Sequence, residues 1–261
     1  CTKCKSRHYC GKACQLVDWY DRGHKAQCKQ LAAEFQDRLL DATTLNDAAP
    51  DWLGTCAICL DGLPVEANLR RFYVCCCKMM CMACSVKCQQ HDDRCPLCRT
   101  PASKSDAELL RRLQKHVDKG NALAQMQLGN AYSSGARGLK QSFKRAFQLY
   151  ELAAAQGCAV AQHNLGFCYA CGHGVKIDYK VATRWWRLAA AQGHAHSLSN
   201  LGAYHANGQG SFKRAFQLYG RSAAQGYAIA QHNLGGCYNE GHGVKIDYKV
   251  ATRWFQRAAE Q

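Results

Sequence analysis

Five cysteines crowd the ten residues from Cys75 to Cys84, in the stretch YVCCCKMMCMAC. Thiols at this density either pair as disulfides or hold a metal ion as thiolates. Around the stretch lie Cys56-x-x-Cys59, Cys81-x-x-Cys84 and Cys95-Pro-Leu-Cys98. A tight turn inside a CxxC pair aims both sulfurs at one ion. The N-terminal residues carry pairs of the same kind: Cys1/Cys4, Cys10/Cys14 and His24/Cys28. A zinc ion takes four nitrogen or sulfur ligands in a tetrahedron. A secreted disulfide framework is the competing reading of a cysteine-dense chain. The metal-type spacings and the lack of a recognisable signal segment favour zinc, which places the chain in a reducing compartment, the cytosol or the nucleus.

The 19 cysteines are unevenly spread: five in residues 1–28, ten in 56–98, and only Cys158, Cys168, Cys171 and Cys237 beyond. The formal charge of +15 overstates the basicity. Thirteen thiolates around four zinc ions would lower it to about +10. Most of the remaining excess sits in residues 121–261. Such a bias can attract nucleic acid or acidic proteins, but a solvated repeat surface accounts for it, and nucleic acid is not the expected partner. No run of eighteen apolar residues marks a membrane helix. The chain begins at Cys1 rather than Met, and we read it as an excerpt of a longer chain.

In residues 1–29, Tyr9-Cys10-x-x-x-Cys14-Gln15, Asp18-Trp19 and His24-Lys25-x-x-Cys28 resemble the MYND zinc finger. In that family four ligand pairs interleave around two zinc ions. The resemblance implies one complete site from Cys1, Cys4, His24 and Cys28. It implies half of a second site from Cys10 and Cys14, whose partner pair would precede Cys1. It also implies non-catalytic binding of short peptides, often proline-containing.

Residues 30–55 read as a linker, helical around Leu31, Phe35 and Leu39 and broken by Pro50 and Gly54. Residues 56–99 then run CxxC, a cysteine cluster, CxxC and a closing CPLC. This order resembles the cross-brace of the RING finger, most specifically at its CAIC and CPLCR ends. The resemblance implies that Cys56, Cys59, Cys81 and Cys84 share one zinc. Two of Cys75, Cys76 and Cys77 would share the other with Cys95 and Cys98. In the favoured register Cys75 and Cys76 are the ligands and Cys77 stands where related forms have glycine. The alternative pairs Cys75 with Cys77. His91 falls in the wrong interval for a ligand, and Cys88 has no required role. The family's partner-facing positions correspond to Ile58, Pro96, Leu97 and Arg99. Through them the resemblance implies contact with a charged ubiquitin-conjugating enzyme, and catalysis by positioning rather than by a nucleophile.

Internal repetition dominates the remainder. SFKRAFQLY occurs at 142–150 and 211–219, AQHNLG at 161–166 and 230–235, and GHGVKIDYKVATRW at 172–185 and 241–254, each pair 69 residues apart. Glycines ending AAQG runs, Gly157, Gly193 and Gly226, give a period near 35, that of helical-hairpin solenoids. Ala161, Leu165, Cys168 and Tyr169 form one apolar helical face. Ala146, Leu149, Tyr150, Ala153 and Ala154 form another. The A-x-x-LG-x-x-Y-x-x-G-x-GV pattern, with its later Asp, Ala, Trp and AA-x-QG, resembles the Sel-one-like repeats, relatives of tetratricopeptide repeats. It implies about four repeats in 121–261. Residues 102–120 read as a capping helix opened by a Ser105/Glu108 capping box, and further repeats are expected after Gln261. His163, His173, His232 and His242 read as loop or surface histidines copied by duplication, Trp185 and Trp254 as core, and Cys168 and Cys237 as small buried hydrophobes.

The expected fold is mainly α: two small zinc-stapled fingers, MYND and RING cross-brace, followed by an α-solenoid of helical hairpins. The expected cofactor is zinc, three or four ions. The expected function is that of a RING-type ubiquitin-protein ligase or ligase subunit, whose MYND finger and repeats bind substrate or adaptor proteins. The alternative is a non-catalytic scaffold of interaction modules with structural zinc.

Overall fold

Two short runs, Arg-Arg-Phe-Tyr and Lys-Met-Met-Cys, flank a turn made largely of thiols. They form an antiparallel hairpin of β1 (Arg70–Tyr73) and β2 (Lys78–Cys81), with Arg70 opposite Cys81 and Tyr73 opposite Lys78. Helix α1 (Met82–Gln89) follows without a break. The Tyr73 hydroxyl meets the buried Ser85 hydroxyl at 3.0 Å and ties the hairpin to α1. The computed structural model describes residues 56–58, 70–89, 94–208 and 211–260. They belong to one compact unit, Ala48–Gln261. The expectations for residues 1–29 and 30–55 lie outside the described residues, including those for Cys1, Cys4, Cys10, Cys14, His24 and Cys28. Cys59 and His91 lie outside them too.

Helix α2 (Asp106–Asp118) opens at Ser105, whose hydroxyl accepts from the Glu108 N–H at 3.2 Å. Glu108 returns the contact one residue early, its carboxylate accepting from the Lys104 N–H at 3.0 Å. The capping box is therefore present in slightly widened form. The apolar side of α2 does not face solvent. Leu110, Leu113 and Val117 pack with Phe72, Val74 and Cys77 of the hairpin on one side and with Ala124, Leu128 and Tyr132 on the other.

Eight helices then pack in chain order, each against its predecessor and successor. They are α3 (Ala122–Ser134), α4 (Phe143–Ala154), α5 (Ala159–Cys171), α6 (Tyr179–Ala191), α7 (Ala195–Gly208), α8 (Phe212–Ala223), α9 (Ala228–Glu240) and α10 (Tyr248–Ala259). Local chemistry sets their ends. Gly135, Gly172 and Gly241 close α3, α5 and α9 in the left-handed conformation, at φ 69°, 74° and 74°, where a side chain is strained. The Asp178 carboxylate accepts from the Lys180 and Val181 N–H groups at the start of α6, and that of Asp247 from the Val250 N–H of α10.

Each hairpin closes on one glycine and one aromatic ring. A Cβ added at Gly129 would lie 2.7 Å from Tyr150, and one at Gly166 would lie 2.4 Å from Trp186. At Gly202 the neighbour is Tyr219 at 2.6 Å, and at Gly235 it is Phe255 at 2.8 Å. The first helix of every pair thus lacks a side chain where the second inserts its ring. This corrects the expectation for the tryptophans. The inserted ring is Trp186, whose indole N–H donates to the His163 carbonyl at 3.3 Å. Trp185 is half-buried at the edge of the neighbouring cluster. Trp254 is also half-buried, with the Arg257 guanidinium 5.0 Å above it. Of the apolar faces read from the sequence, Ala146, Tyr150, Ala153, Ala154, Ala161, Leu165 and Cys168 are buried, as is Cys237.

Glutamines from the AAQG runs bridge helices. Gln156 donates to the buried Gln125 amide oxygen at 2.7 Å, and Gln192 to that of Gln162 at 2.8 Å. In the third hairpin Leu198 takes the acceptor's place, and Gln225 donates instead to the Gly193 carbonyl at 2.8 Å.

Candidate metal centre

The turn between β1 and β2 delivers three consecutive thiols, and their side chains part company. Cys75 and Cys76 turn toward Cys95 and Cys98, and all four sulfurs lie within 4.8 Å of one another. Cys77 turns the other way. Its backbone adopts φ 52°, and its side chain is buried among Leu113, Ala124 and Leu128. A left-handed residue in this turn is what glycine normally supplies, matching the register in which Cys77 replaces glycine.

The second pair of this group sits in a tight turn. The Cys95 N–H donates to the Thr100 carbonyl at 2.8 Å, and the Arg99 N–H donates back to the Cys95 carbonyl at 2.8 Å. The Cys76 and Cys95 sulfurs are 3.8 Å apart. A disulfide needs about 2.05 Å. Four sulfurs about 2.3 Å from a central zinc lie roughly 3.8 Å from each other.

The other group contains Cys56, Cys81 and Cys84, again within 4.8 Å. Cys81 ends β2 and Cys84 lies in the first turn of α1. The Cys81 N–H points at the Cys56 sulfur, 3.4 Å away. Cys59 would supply a fourth ligand but lies outside the described residues. In chain order the two groups interleave, which is the cross-brace order. Cys88 is half-buried in α1 and belongs to neither group.

Gathering thiols without a cation is electrostatically costly. Burial, then hydrogen bonds to Cys98 and Cys95, pushes the Cys75 thiol far up. Burial, then its contact with Cys95, raises Cys76 to about 12. At Cys98 burial also raises the thiol, but hydrogen bonds from Thr100, Cys75 and Cys95 outweigh it and bring it down to about 7. Without a cation, burial and the neighbouring thiols favour the protonated forms of Cys75 and Cys76. A divalent cation would let all four ionise. Donor type, number and spacing all fit zinc, and Cys75, Cys76, Cys95 and Cys98 would be the ligands of one ion.

Of the partner-facing positions, Ile58 is exposed. Pro96 and Leu97 are half-buried, and Leu97 packs on the cluster of Cys56 and Met80. Arg99 is exposed at φ 58°.

Some contacts lie outside the sequence reading. The His116 ring of α2 meets the Cys75 carbonyl at 3.2 Å, fastening the thiol turn to the capping helix. His163 is not a loop or surface copy. Its ring contacts those of His194, at 4.7 Å between centroids, and His196, at 5.7 Å, and its Nδ1 meets the Ser197 hydroxyl at 2.9 Å. Its counterpart His232 is exposed beside Phe255. The signal was present in the third hairpin, which opens His194-Ala-His196-Ser197 where the second opens Cys158-Ala-Val-Ala. His173 and His242 stack on Phe143 and Phe212, each at 4.1 Å.

The fold and site define a helical-hairpin solenoid preceded, among the described residues, by a β-hairpin and helix that bear two groups of thiols. The Sel1 repeat model matches residues 122–158, 159–194, 195–227 and 228–261, and the chain belongs to the Sel1 repeat family. Each matched segment holds one of the four helical hairpins described above. Similar solved structures include two Sel1-type proteins. One is a protective antigen of uropathogenic Escherichia coli displaying an SLR fold: 33% identity, TM-score 0.55, over 58% of this chain and 33% of that one. The other is a Sel1 repeat protein from Oxalobacter formigenes: 32% identity, TM-score 0.56, over 59% of this chain and 64% of that one. The chain thus spans less than two thirds of either relative's length. No curated protein matches it.

Proposed function

We propose that the protein is a protein-interaction scaffold: a Sel1-repeat solenoid capped at its N-terminal end by a zinc-stapled finger. The carrying observation is the solenoid of four hairpins. Each hairpin is built by its neighbours and leaves a long, regular surface for a partner. The finger supports this role as a fixed part of the body, because Cys77, Phe72 and Val74 pack on the capping helix. Zinc at the two thiol groups would be structural, and a reducing compartment suits it. Residues 1–29 would add a peptide-binding MYND finger, a reading that rests on sequence alone.

The test is chemical cross-linking of the full chain in cells, with cross-linked peptides mapped by mass spectrometry. Protein partners joined to α3–α10 are expected. Cross-links confined to chaperones would contradict the scaffold reading.

A second reading, ubiquitin ligase, is favoured by one observation. Ile58, at a position that contacts conjugating enzymes in RING fingers, is 44% exposed on the finger. Autoubiquitination with a panel of conjugating enzymes tests it. Chain formation lost in Ile58→Ala and Arg99→Ala supports it, and no chain formation by the wild type rejects it.

A further inference from the structure

The solenoid carries one surface motif twice. In the loop before α6 and the first turns of that helix, Lys176, Ile177, Tyr179, Lys180 and Arg184 are all exposed. The same five residue types recur 69 positions later, at the start of α10, and are exposed there too. Ile177 is 52% and Tyr179 59% exposed, and Ile246 is 48% and Tyr248 65%. Single exposed apolar side chains are ordinary, but the same exposed pair set twice beside the same cations marks a candidate contact surface.

Packing explains only part of this stretch. Gly172 and Gly174 need positive φ, Asp178 caps α6, and Ala182 is buried. Ile177 leans partly on Gly172. None of this requires the open tyrosine or the three cations. The two copies of the duplicated unit, 142–192 and 211–261, show where change has been accepted. They differ at 12 positions, such as Glu151/Gly220, Phe167/Gly236 and Trp186/Phe255, and at none of the 14 in 172–185. Even the inserted aromatic has changed, while the exposed patch has not.

Charge complementarity selects the occupant. Each patch surrounds an Ile–Tyr pair with two lysines and an arginine. Its one acid, Asp178 or Asp247, is engaged by backbone N–H groups of its helix. Resting on the scaffold reading, we propose that these twin patches dock an acidic protein segment bearing aromatic or aliphatic side chains, which bridges both. The apolar pair takes the side chain and the cations take flanking carboxylates. Two identical patches in one compact unit favour a partner that repeats its own motif, and simultaneous engagement raises the overall affinity above that of either patch.

The test uses the full chain and a random copolymer of glutamate and tyrosine as probe, read by fluorescence anisotropy. Polyglutamate and polyuridylate serve as comparison probes. The copolymer is expected to bind more tightly than either. Ile177→Ser/Tyr179→Ser or Ile246→Ser/Tyr248→Ser should each weaken it about tenfold, and all four together about a hundredfold. All four side chains are exposed, so circular dichroism should show unchanged helix content. Undiminished copolymer binding by the fourfold variant overturns the proposal. Equal binding of polyglutamate overturns the apolar part, and tighter binding of polyuridylate overturns the protein partner. If the patches prove inert while cross-links still join partners elsewhere on α3–α10, the inference falls and the scaffold reading stands.

Discussion

The Cys76 and Cys95 sulfurs, 19 residues apart in sequence, stand 3.8 Å apart in space. That is the edge of a zinc–thiolate tetrahedron and far outside disulfide range. Behind this turn, the His116 ring holds the Cys75 carbonyl and Cys77 is buried against Leu113. The thiol group and the capping helix are thus one piece of structure. Stripping metal with a strong chelator should therefore loosen α2 as well as the finger. Hydrogen exchange is expected to speed up across Leu110–Val117, with α9 and α10 little changed. Unaltered exchange in α2 would separate finger from solenoid.

Gly166 and Trp186 show how the hairpins close. Trp186→Ala should destabilise the solenoid by about 3–5 kcal/mol, through lost burial and a cavity. Gly166→Ala drives a methyl into the indole ring at 2.4 Å and should cost about 1–3 kcal/mol or more. Urea unfolding followed by helical circular dichroism measures both. The double variant Gly166→Ala/Trp186→Ala should cost less than the sum, because the new methyl then has room.

His163 makes the junction of the second and third hairpins sensitive to acid. Burial first, and the neighbouring His196 second, lower its pKa from 6.5 to about 3. His194 and His196 face it across the junction, and Tyr227 stacks behind His196. Well above pH 6.5 both folded and unfolded states hold it neutral, and its stability contribution is complete. As the pH falls from 6.5 toward 3, the unfolded chain binds a proton that the folded one refuses, and stability falls. The slope from this group is at most about 1.4 kcal/mol per pH unit. His163→Gln should flatten thermal stability over that window, and an unchanged slope would remove His163 as its source.

Asp178 accepts from the Lys180 and Val181 N–H groups of α6, and Asp247 from the Val250 N–H of α10. Asp178→Ala should cost about 1 kcal/mol. Asp178→Asn should recover most of it, because the amide oxygen still accepts. Equal losses for both variants would point to charge rather than capping.

The solenoid was largely legible because its signals are local and repeated. The 69-residue duplication, the AAQG glycines and the Ser105 cap each report short-range backbone chemistry. Which tryptophan inserts was not legible, since Trp185 and Trp186 are adjacent and only the turn of α6 chooses between them. The histidine cluster was missed because His163 has an identical copy at His232, and its environment is supplied by the next hairpin. At the thiol turn the sequence left two registers open. The structure distinguishes their side chains through long-range packing, since Cys77 finds Leu113 some 36 residues onward.

The most direct test counts zinc on single-cysteine variants by native mass spectrometry. Cys76→Ser and Cys95→Ser should each lose one ion relative to the wild type, while Cys77→Ser should keep the full complement and lose only stability. Loss of an ion from Cys77→Ser with retention in Cys76→Ser would contradict the pairing described here. A wild-type chain that binds no zinc would remove the metal-stapled finger from the account altogether.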